Sequence, residues 1–503
     1  MNLAHNLTYT ARTHPARPAV RLDDHALTYE ELEELCARVA GWLRHNGHVP
    51  GDRIGLMLPN VPEFAALAYG VLRAGCIVVP MNPLFKEREV AYYLRDSGSK
   101  TLFAWHQVAQ PAGDGARQAG AELVLVDENF AELMSSAAAA REVVERDDHD
   151  TAVILYTSGT TGEPKGAELT HANLVRNVEV TQALFSITAD DVVFGGLPMF
   201  HVFGFTCALN TAIRVGAAVT LVPRFEPARV LKVLHRDHVT IFEGVPTMYA
   251  ALLHDPGRRT HDVSALRLCV SGGAALPVEV LRGFEREFGC MILEGYGLSE
   301  TSPVVSFNHP DRVRKPGSIG TPVSGVEMRL VDEQGTEARP GEIGEIVVRG
   351  HNIMKSYWRR ADATAAAIRD GWFHTGDLAR VDADGYFFIV DRKKDLIIRG
   401  GYNVYPRELE EVFHEHPAVA EVAVFGVPHP ELGEEVAAAV VLKPGATARA
   451  DELRDYLKAQ VAAYKYPRLV QLVETLPKGP TGKLLKRELR ISASVSKPAA
   501  RSW

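Results

Sequence analysis

The sequence has few cysteines and no long apolar run. Its 503 residues include five cysteines, and no two of them stand in C-x-x-C spacing. The number and scatter of these residues argue against a disulfide framework and against a zinc site, and indicate reduced thiols in apolar surroundings. No apolar run approaches the roughly 20 residues that cross a bilayer, so no transmembrane segment is predicted.

Positive charge is also scarce. Asp and Glu number 63 against 55 Lys and Arg, which gives a formal net charge of -8. A basic surface for nucleic acid is therefore not expected. The first residues lack the charged-then-apolar pattern of a secretory signal. These absences predict a cytoplasmic protein with no nucleic-acid partner. They leave open whether it is a monomer or a homodimer, and whether it makes a peripheral contact with a membrane.

The remaining composition is that of a globular protein, with 46% hydrophobic and 23% charged residues. A chain of this length exceeds one ordinary core, so two or more domains are expected. A capping-box pattern at Thr28 and Glu31 predicts that a helix begins there. Strand, helix and strand then alternate between residues 54 and 80, and this pattern recurs further along the chain. Such alternation predicts parallel sheets in an α/β fold.

The most informative stretch is residues 157–166, TSGTTGEPKG, which follow the apolar run AVILY. The run predicts a strand that leads into a tight turn. Glycines let backbone N–H groups approach an anion, and a lysine adds charge, so the turn is a candidate phosphate site. It is not a Walker A loop, because Lys165 is followed by Gly166 and not by Ser or Thr. Such a stretch taken alone is better interpreted as a solvated turn.

Two later segments carry chemistry suited to a nucleotide. Glycines at residues 272 and 273 follow a predicted strand, and parallel sheets bind ligands at this end of their strands. Residues 294–301 read EGYGLSET. Tyr296 can present its flat face to a planar base, Ser299 can bond a phosphate oxygen, and Glu300 is a hard oxygen ligand for Mg²⁺.

The remaining candidates are weak when each is taken alone. Asp377 lies in a Thr-Gly-Asp triplet, and a carboxylate can accept both hydroxyls of a cis-diol. A charge run, KKD, includes Lys394, and the pair Gly400 and Gly401 follows it. Lys483 stands in an exposed Gly/Pro-rich stretch near the end of the chain. The segment FHVFGF contains His201, and a lone histidine among aromatic residues is more often a core residue than a functional one.

Together, six such motifs resemble, in order, those of the adenylate-forming (ANL) superfamily, and among its members the acyl-CoA synthetases. The resemblance runs from residue 28 to about residue 490. It implies a large N-terminal domain, residues 1–393, with two doubly wound sheets and a distorted β-barrel. A small, mobile α+β domain, residues 394–503, would follow, with Lys394 as the hinge between the two.

The resemblance also assigns roles to residues. Lys483, Glu300 and His201 are the expected catalytic residues, Glu300 and Thr157 the expected Mg²⁺ ligands, and Gly400 and Gly401 the lining of the coenzyme A channel. The expected ATP and AMP site comprises Thr157, Ser158, Gly159, Thr160, Thr161, Lys165, Gly272, Gly273, Ala274, Glu294, Gly295, Tyr296, Gly297, Ser299, Asp377, Ile389 and Arg392. The expected acyl pocket comprises His201, Phe203, Phe205, Val245, Gly272 and Val304.

The activity that this resemblance implies is ATP-dependent acyl-CoA synthesis. A carboxylic acid would react with ATP to give acyl-AMP and pyrophosphate, and coenzyme A would then displace AMP. The motifs are most similar to those of bacterial medium- and long-chain fatty acyl-CoA ligases. An aryl or polycyclic acid remains an alternative substrate. A stand-alone adenylation enzyme, a luciferase-like oxygenase and a non-catalytic acyl-adenylate binding protein are less well supported alternatives.

Overall fold

The computed structural model describes residues 1–158, 163–479 and 484–489. The chain divides into two compact units, the first of them Met1–Ile389. The division falls within the strand Phe387–Arg392. The functional hinge expected at Lys394 stays a prediction.

A seven-stranded mixed sheet forms one layer of the first unit. Four parallel pairings link five of its strands, and helices join these strands along the chain, the arrangement in which both faces of a sheet are covered. The order across the sheet is Ser356–Tyr357, Pro164–Thr170, Thr151–Ser158, Ile77–Pro80, Arg53–Met57, Thr101–Trp105 and Glu122–Val126.

A nine-stranded sheet forms a second layer, and its central strands are parallel. The order is Thr321–Pro322, Val304–Phe307, Met291–Gly297, Leu268–Ser271, Ile241–Gly244, Val192–Gly195, Ala218–Leu221, Pro18–Leu22 and His25–Thr28. The carboxyl ends of the strands Leu268–Ser271 and Met291–Gly297 carry the two sequence motifs that were assigned to the nucleotide.

A five-stranded sheet is the third of the first unit, and it is antiparallel where the strands pair as Val326–Val331, Gly344–Gly350, Trp372–Val381 and Ile368–Arg369. Phe387–Arg392 is its fifth strand. The predicted α/β fold, with two doubly wound sheets and a barrel-like third sheet, is confirmed.

Among the described residues of the first unit, eleven α-helices of at least 6 residues flank these sheets or connect their strands. They are His5–Thr13, Tyr29–His45, Pro62–Arg73, Glu87–Ser97, Ala109–Ala119, Phe130–Ser135, His171–Phe185, Pro227–Arg236, Pro246–His254, Val278–Phe288 and Ala361–Ala367. A π-helix, Phe203–Asn210, runs directly into the short α-helix Thr211–Val215. Short 3₁₀ turns occupy His106–Val108, Pro256–Arg259 and Ser299–Thr301.

Local signals in the sequence explain where several helices begin. The side chain of Thr28 accepts the N–H of Glu31, and the Glu31 carboxylate accepts the N–H of Thr28. This capping box satisfies two N–H groups that have no partner within the helix, and the prediction from sequence is confirmed. Proline opens the helix Pro62–Arg73, because its fixed φ suits the first helical turn.

The second unit has its own sheet and its own core. The strand Gly433–Leu442 pairs with Val419–His429, Ile397–Arg399 and Leu469–Leu472, and Ile397–Arg399 pairs with Tyr402–Val404. The helices Pro406–Glu415 and Ala450–Gln460 pack with this sheet around a buried cluster of valine, leucine and phenylalanine side chains, and Lys486–Glu488 forms a 3₁₀ turn. The predicted α+β architecture is confirmed, whereas its mobility stays a prediction.

Burial agrees with the composition. All five cysteines are buried free thiols, as predicted. Cys269 and Cys290 lie on neighbouring segments with their sulfur atoms 3.4 Å apart. In the described part of the chain, no helix has both the length and the apolar character needed to cross a membrane.

Candidate active site

The carboxylate of Glu300 is the point where three segments of the first unit meet. Glu300 lies in the 3₁₀ turn Ser299–Thr301 and is 8% exposed. Its Oε1 accepts the hydroxyl of Thr157 at 3.1 Å and the hydroxyl of Tyr357 at 2.9 Å. The Nζ of Lys165 lies 5.4 Å from the ring centre of Tyr357. An acid, two hydroxyl groups and a lysine are thus assembled from distant parts of the sequence.

This donor set fits a magnesium ion. A carboxylate and a hydroxyl are hard oxygen ligands, and Mg²⁺ is commonly held by one or two carboxylates together with substrate phosphates. Among the residues with described coordinates, no three His, Cys, Asp or Glu side chains cluster so as to hold a metal without such help. Glu300 and Thr157 would therefore hold Mg²⁺ jointly with a nucleotide.

Tyr357 was not predicted from the sequence. It occupies the short strand Ser356–Tyr357, which pairs with Pro164–Thr170. Burial, followed by the charge of Glu300, raises the pKa of the Tyr357 phenol well above its usual value. The phenol is therefore a permanent hydrogen-bond donor to Glu300 at neutral pH. No motif marks this tyrosine, because its partner is 57 residues away in the chain.

The candidate phosphate stretch is flanked by two antiparallel strands. Thr157 is paired with Lys165, and the strands are Thr151–Ser158 and Pro164–Thr170. Lys165 therefore belongs to a strand and not to the turn, and a strand stands where a Walker A motif would have a helix. The other predicted residues of this stretch lie outside the described residues, namely Gly159, Thr160 and Thr161, as does the side chain of Ser158.

Tyr296 and Asp377 meet at the carboxyl end of the strand Met291–Gly297. The hydroxyl of Tyr296 donates to Oδ2 of Asp377. Tyr296 is the penultimate residue of the strand Met291–Gly297, and Asp377 is 4% exposed within the strand Trp372–Val381. Two residues that the sequence motifs assigned to adenine and ribose are therefore neighbours in space.

The two glycines around Tyr296 are needed for packing. A Cβ on Gly295 would lie 2.3 Å from the ring of Phe307, and one on Gly297 would lie 2.2 Å from the carbonyl oxygen of Pro303. Neither glycine has a positive φ. Both positions are glycine because Phe307 and Pro303 approach the backbone too closely for a side chain. The same close packing restricts the position of Tyr296.

The glycine turn after Leu268–Ser271 lies beside two predicted pocket residues. A Cβ on Gly272 would lie 3.0 Å from Cε1 of Phe203, and a Cβ on Gly273 would lie 3.4 Å from Cγ1 of Val245. Gly273 has a φ of +79°, which favours glycine. Ala274 is exposed beside them. The structure thus brings Phe203, Val245 and the glycine turn together.

Glu294 supports this turn from the neighbouring strand. It is 2% exposed, and its Oε1 accepts the N–H of Leu276 at 3.0 Å. Its backbone oxygen accepts the N–H of Asn308. Glu294 therefore stabilises the loop that follows Ala274.

The other predicted pocket residues occupy different positions. Nδ1 of the half-buried His201 accepts the N–H of Phe203 at 3.3 Å, so His201 lies just before the π-helix. Phe205 is fully buried within that helix. Val304 is buried in the strand Val304–Phe307, which Met291–Gly297 separates from the strand before Gly272.

The predicted residues near the unit boundary are divided between the units. Ile389 is partly buried in the first unit. In the second unit, Asp391 accepts the N–H groups of Arg392 at 2.8 Å and Arg407 at 3.0 Å, and burial raises its pKa. Lys394 lies exposed in the turn before Ile397–Arg399.

Gly400 and Gly401 form a tight β-turn. They join the paired residues Arg399 and Tyr402, and their φ values are +56° and +83°. A two-residue hairpin with both φ values positive strongly favours glycine. The turn alone therefore explains both glycines, without a ligand.

The catalytic lysine expected at position 483 lies outside the described residues. Both flanks of its segment are tied to the second unit. Lys478 pairs with Glu421 and Lys486 with Glu410, each with N···O at 2.7 Å. The backbones of Lys478 and Leu484 also form an isolated antiparallel β-bridge.

Two known families and several known proteins are similar to this chain. The family described as AMP-binding enzyme matches residues 7–358, and the family described as AMP-binding enzyme C-terminal domain matches residues 408–483. A long-chain-fatty-acid–CoA ligase of Bacillus subtilis is 39% identical over 96% of this chain and 93% of its own length. A feruloyl-CoA synthase of an Amycolatopsis species is 38% identical over 95% of this chain and 96% of its own length.

The similarity extends to the fold. The crystal structure of ATP-bound MatB from Rhodopseudomonas palustris is 34% identical to this chain and has a TM-score of 0.89. The match covers 97% of this chain and 98% of MatB.

Proposed function

Since the chain belongs to the family of AMP-binding enzymes and is an acyl-CoA ligase, we propose that it converts a medium- or long-chain fatty acid into its coenzyme A thioester. ATP supplies the driving force, and coenzyme A accepts the acyl group. The single structural observation behind the site assignment is the meeting of Thr157 and Glu300, which lie 143 residues apart in the chain.

In the first step, a carboxylate oxygen of the acid attacks the α-phosphorus of ATP. The bond from that phosphorus to the bridging oxygen breaks, and pyrophosphate leaves. Both partners are anions, so placed cations contribute much of the rate. We assign this task to Lys483 and Lys165. Mg²⁺, when held by Glu300 and Thr157, supplies charge neutralisation at the phosphates.

We assign the nucleoside to the pair Tyr296 and Asp377. The ring of Tyr296 offers a flat face to adenine. The carboxylate of Asp377 has only acceptor oxygens, which suits the two ribose hydroxyls. The hydrogen bond between the two side chains supports this assignment, since it places the acceptor beside the ring. Arg392 would contact the ribose or phosphate from the second unit.

In the second step, the thiol sulfur of coenzyme A attacks the acyl carbon. The bond between this carbon and the AMP oxygen breaks, AMP leaves, and the thiol proton passes to solvent. We propose that the second unit rotates about Lys394 between the steps, so that Lys483 withdraws and the Gly400–Gly401 turn lines the thiol channel. Such a motion keeps water from a hydrolysable intermediate.

Two classes of acid are candidates. Phe203 and Val245 are buried and apolar, which suits an alkyl chain, and a long-chain-fatty-acid–CoA ligase is a relative. A feruloyl-CoA synthase is a relative at almost the same identity. An aryl acid is therefore the second candidate.

The test is a panel of fatty and aryl acids given to the purified chain with ATP and Mg²⁺, with and without coenzyme A. We expect pyrophosphate release with at least one acid, and thioester and AMP formation only with coenzyme A. Pyrophosphate release without any thioester would instead identify a stand-alone adenylation enzyme. Binding of acyl-AMP without pyrophosphate release from any acid would identify a binding protein and end the proposal.

A further inference from the structure

The strand Ile241–Gly244, inside the nine-stranded sheet, carries a buried acid. Glu243 is 0% exposed, and within the described part of the chain neither of its carboxylate oxygens has a hydrogen-bond partner. Burial raises the pKa of Glu243 to about 8. An unpartnered buried polar group costs folding free energy, so its presence needs an explanation.

The pairing of strands shows which face of the sheet Glu243 occupies. In parallel strands, paired residues share a face, and residues alternate between faces along each strand. Glu243 pairs with Val270, so Gly272, two residues further, lies on the same face. Phe203 is the residue that a Cβ on Gly272 would meet. The π-helix Phe203–Asn210 therefore covers the face that carries Glu243.

A second residue of the π-helix supports this position. Burial, and after it the charge of Glu243, raises the pKa of the Cys207 thiol. Cys207 therefore lies near Glu243, one turn beyond Phe203. Thr206, its neighbour in the helix, also has a buried hydroxyl without a partner among the described residues. Segments of π-helix are frequent at functional sites.

The side chain of Glu243 thus lies on the face of the sheet that Phe203 covers, below the glycine turn that contains Gly272. Two residues of a strand span ~7 Å, so Glu243 is about this distance deeper than Gly272. This depth is comparable with one aromatic ring or a short alkyl chain. A carboxyl group therefore lies beneath the expected acyl pocket.

We propose that Glu243 determines acyl specificity by hydrogen bonding to a hydroxyl group carried by the acyl chain or ring of the acid. The proposal rests on the proposed function, since it concerns the substrate of the same site. A carboxyl group can both donate to and accept from a hydroxyl when it is protonated. An unsubstituted chain would bury Glu243 and leave it without a partner.

A hydroxyl of this kind can belong to a phenolic acid or to a hydroxylated aliphatic acid. Matched pairs of acids separate the two sources and isolate the hydroxyl. The pairs are para-hydroxybenzoate with benzoate, para-hydroxycinnamate with cinnamate, and ω-hydroxyoctanoate with octanoate. The measured quantity is kcat/KM for thioester formation within each pair.

We expect the wild-type chain to prefer the hydroxylated member of at least one pair by about tenfold to a hundredfold, the effect of leaving one buried polar group unpaired. Glu243→Met should abolish this preference, mainly by raising kcat/KM for the plain acid. Glu243→Gln should keep most of it, because an amide still donates and accepts.

Ser271→Ala is the matched control. The Ser271 hydroxyl is also buried without a partner in the described structure, but Ser271 pairs with Gly244 and so lies on the opposite face. Its loss should leave the preference unchanged.

Equal kcat/KM within every pair, in a wild-type chain that is active on the plain acids, would overturn the inference and leave the proposed function intact. A preference that persists in Glu243→Met would overturn it too. If this variant does not fold, the wild-type ratios decide. Inactivity with every acid would overturn both proposals.

Discussion

Tyr357 donates its hydroxyl to Oε1 of Glu300 at 2.9 Å, the same oxygen that accepts the Thr157 hydroxyl. Two neutral donors from distant segments of the chain thus orient one carboxylate. A carboxylate held in this way keeps its orientation without a bound cation. This relationship leads to the first prediction.

Tyr357→Phe should lower the rate of pyrophosphate formation by about tenfold, because it removes one hydrogen bond to a charged group. The Mg²⁺ concentration that gives half the maximal rate should rise as well. A titration of Mg²⁺ in a pyrophosphate-release assay measures both the maximal rate and this concentration. Tyr386→Phe, which removes a hydroxyl bound to the Val313 carbonyl, is the control and should match the wild type. An unchanged Mg²⁺ dependence in Tyr357→Phe would refute the orienting role.

Asp377→Ala should raise the KM for ATP by about tenfold to a hundredfold, since two ribose hydroxyls would lose a charged acceptor. Tyr296→Phe keeps the ring and both acceptor oxygens of Asp377, so it should change this KM by less than about threefold, the low end for the loss of one hydrogen bond. Steady-state kinetics at saturating acid and coenzyme A provide both numbers. Similar large losses in the two variants would show that the hydrogen bond, and not the ribose contact, is what matters.

Lys483→Ala should slow adenylation by on the order of 10²-fold, as expected when one preorganised charged donor is removed. It should spare thioester formation from supplied acyl-AMP. The two half-reactions are measured separately, by pyrophosphate exchange and by thioester formation. Lys478→Ala, which breaks an ion pair with Glu421 in the same segment, is the control. Equal loss in both half-reactions would contradict a lysine that acts in only one of them.

Lys394→Pro should show the opposite bias. Proline restricts φ in the turn that we propose as the hinge, so thioester formation should fall by about tenfold or more while pyrophosphate exchange persists. Lys394→Ala removes the charge without restricting φ and should leave both half-reactions near wild type. Full turnover in the proline variant would dismiss the hinge.

The buried carboxyl of Glu243 predicts a dependence of stability on pH. Its pKa is about 8 in the folded chain against an ordinary value of 4.5. Between these values the unfolded chain releases this proton and the folded chain retains it. The contribution of Glu243 to stability is therefore complete below pH 4.5 and falls as the pH rises towards 8, by at most about 1.4 kcal/mol per pH unit.

Glu243→Gln removes this titration. The variant should therefore gain thermal stability relative to the wild type as the pH rises from 5 to 8. The difference between the two melting temperatures at each pH tests the prediction. A constant difference would mean that the group titrates alike in the folded and unfolded chains.

Many features could be predicted because their causes are local. The capping box at Thr28 and Glu31 lies within one helical turn, and Pro62 sets the start of its helix by its own ring. The strand before Thr157 was predicted from its consecutive apolar residues. Buried parallel strands have this pattern because both faces are covered.

Other features could not be predicted. Lys165 was expected in a turn, yet it pairs with Thr157 in a strand. The hairpin turn at Gly400 and Gly401, whose positive φ values favour glycine, was not predicted, and the place of these glycines in a ligand channel stays a prediction. Tyr357 carries no motif. Glu243 is one acid in an apolar run, and the sequence does not show whether its carboxyl group finds a hydrogen-bond partner in the fold.

The sequence by itself determined the α/β fold, the family and the candidate side chains of a nucleotide site, because these depend on neighbouring residues and on the order of motifs. Only the tertiary structure decided that Tyr357 meets Glu300, that Tyr296 meets Asp377 and that Glu243 is buried without a partner. The reason is that such contacts join segments far apart in the chain, and the packing of whole sheets and helices sets their distances.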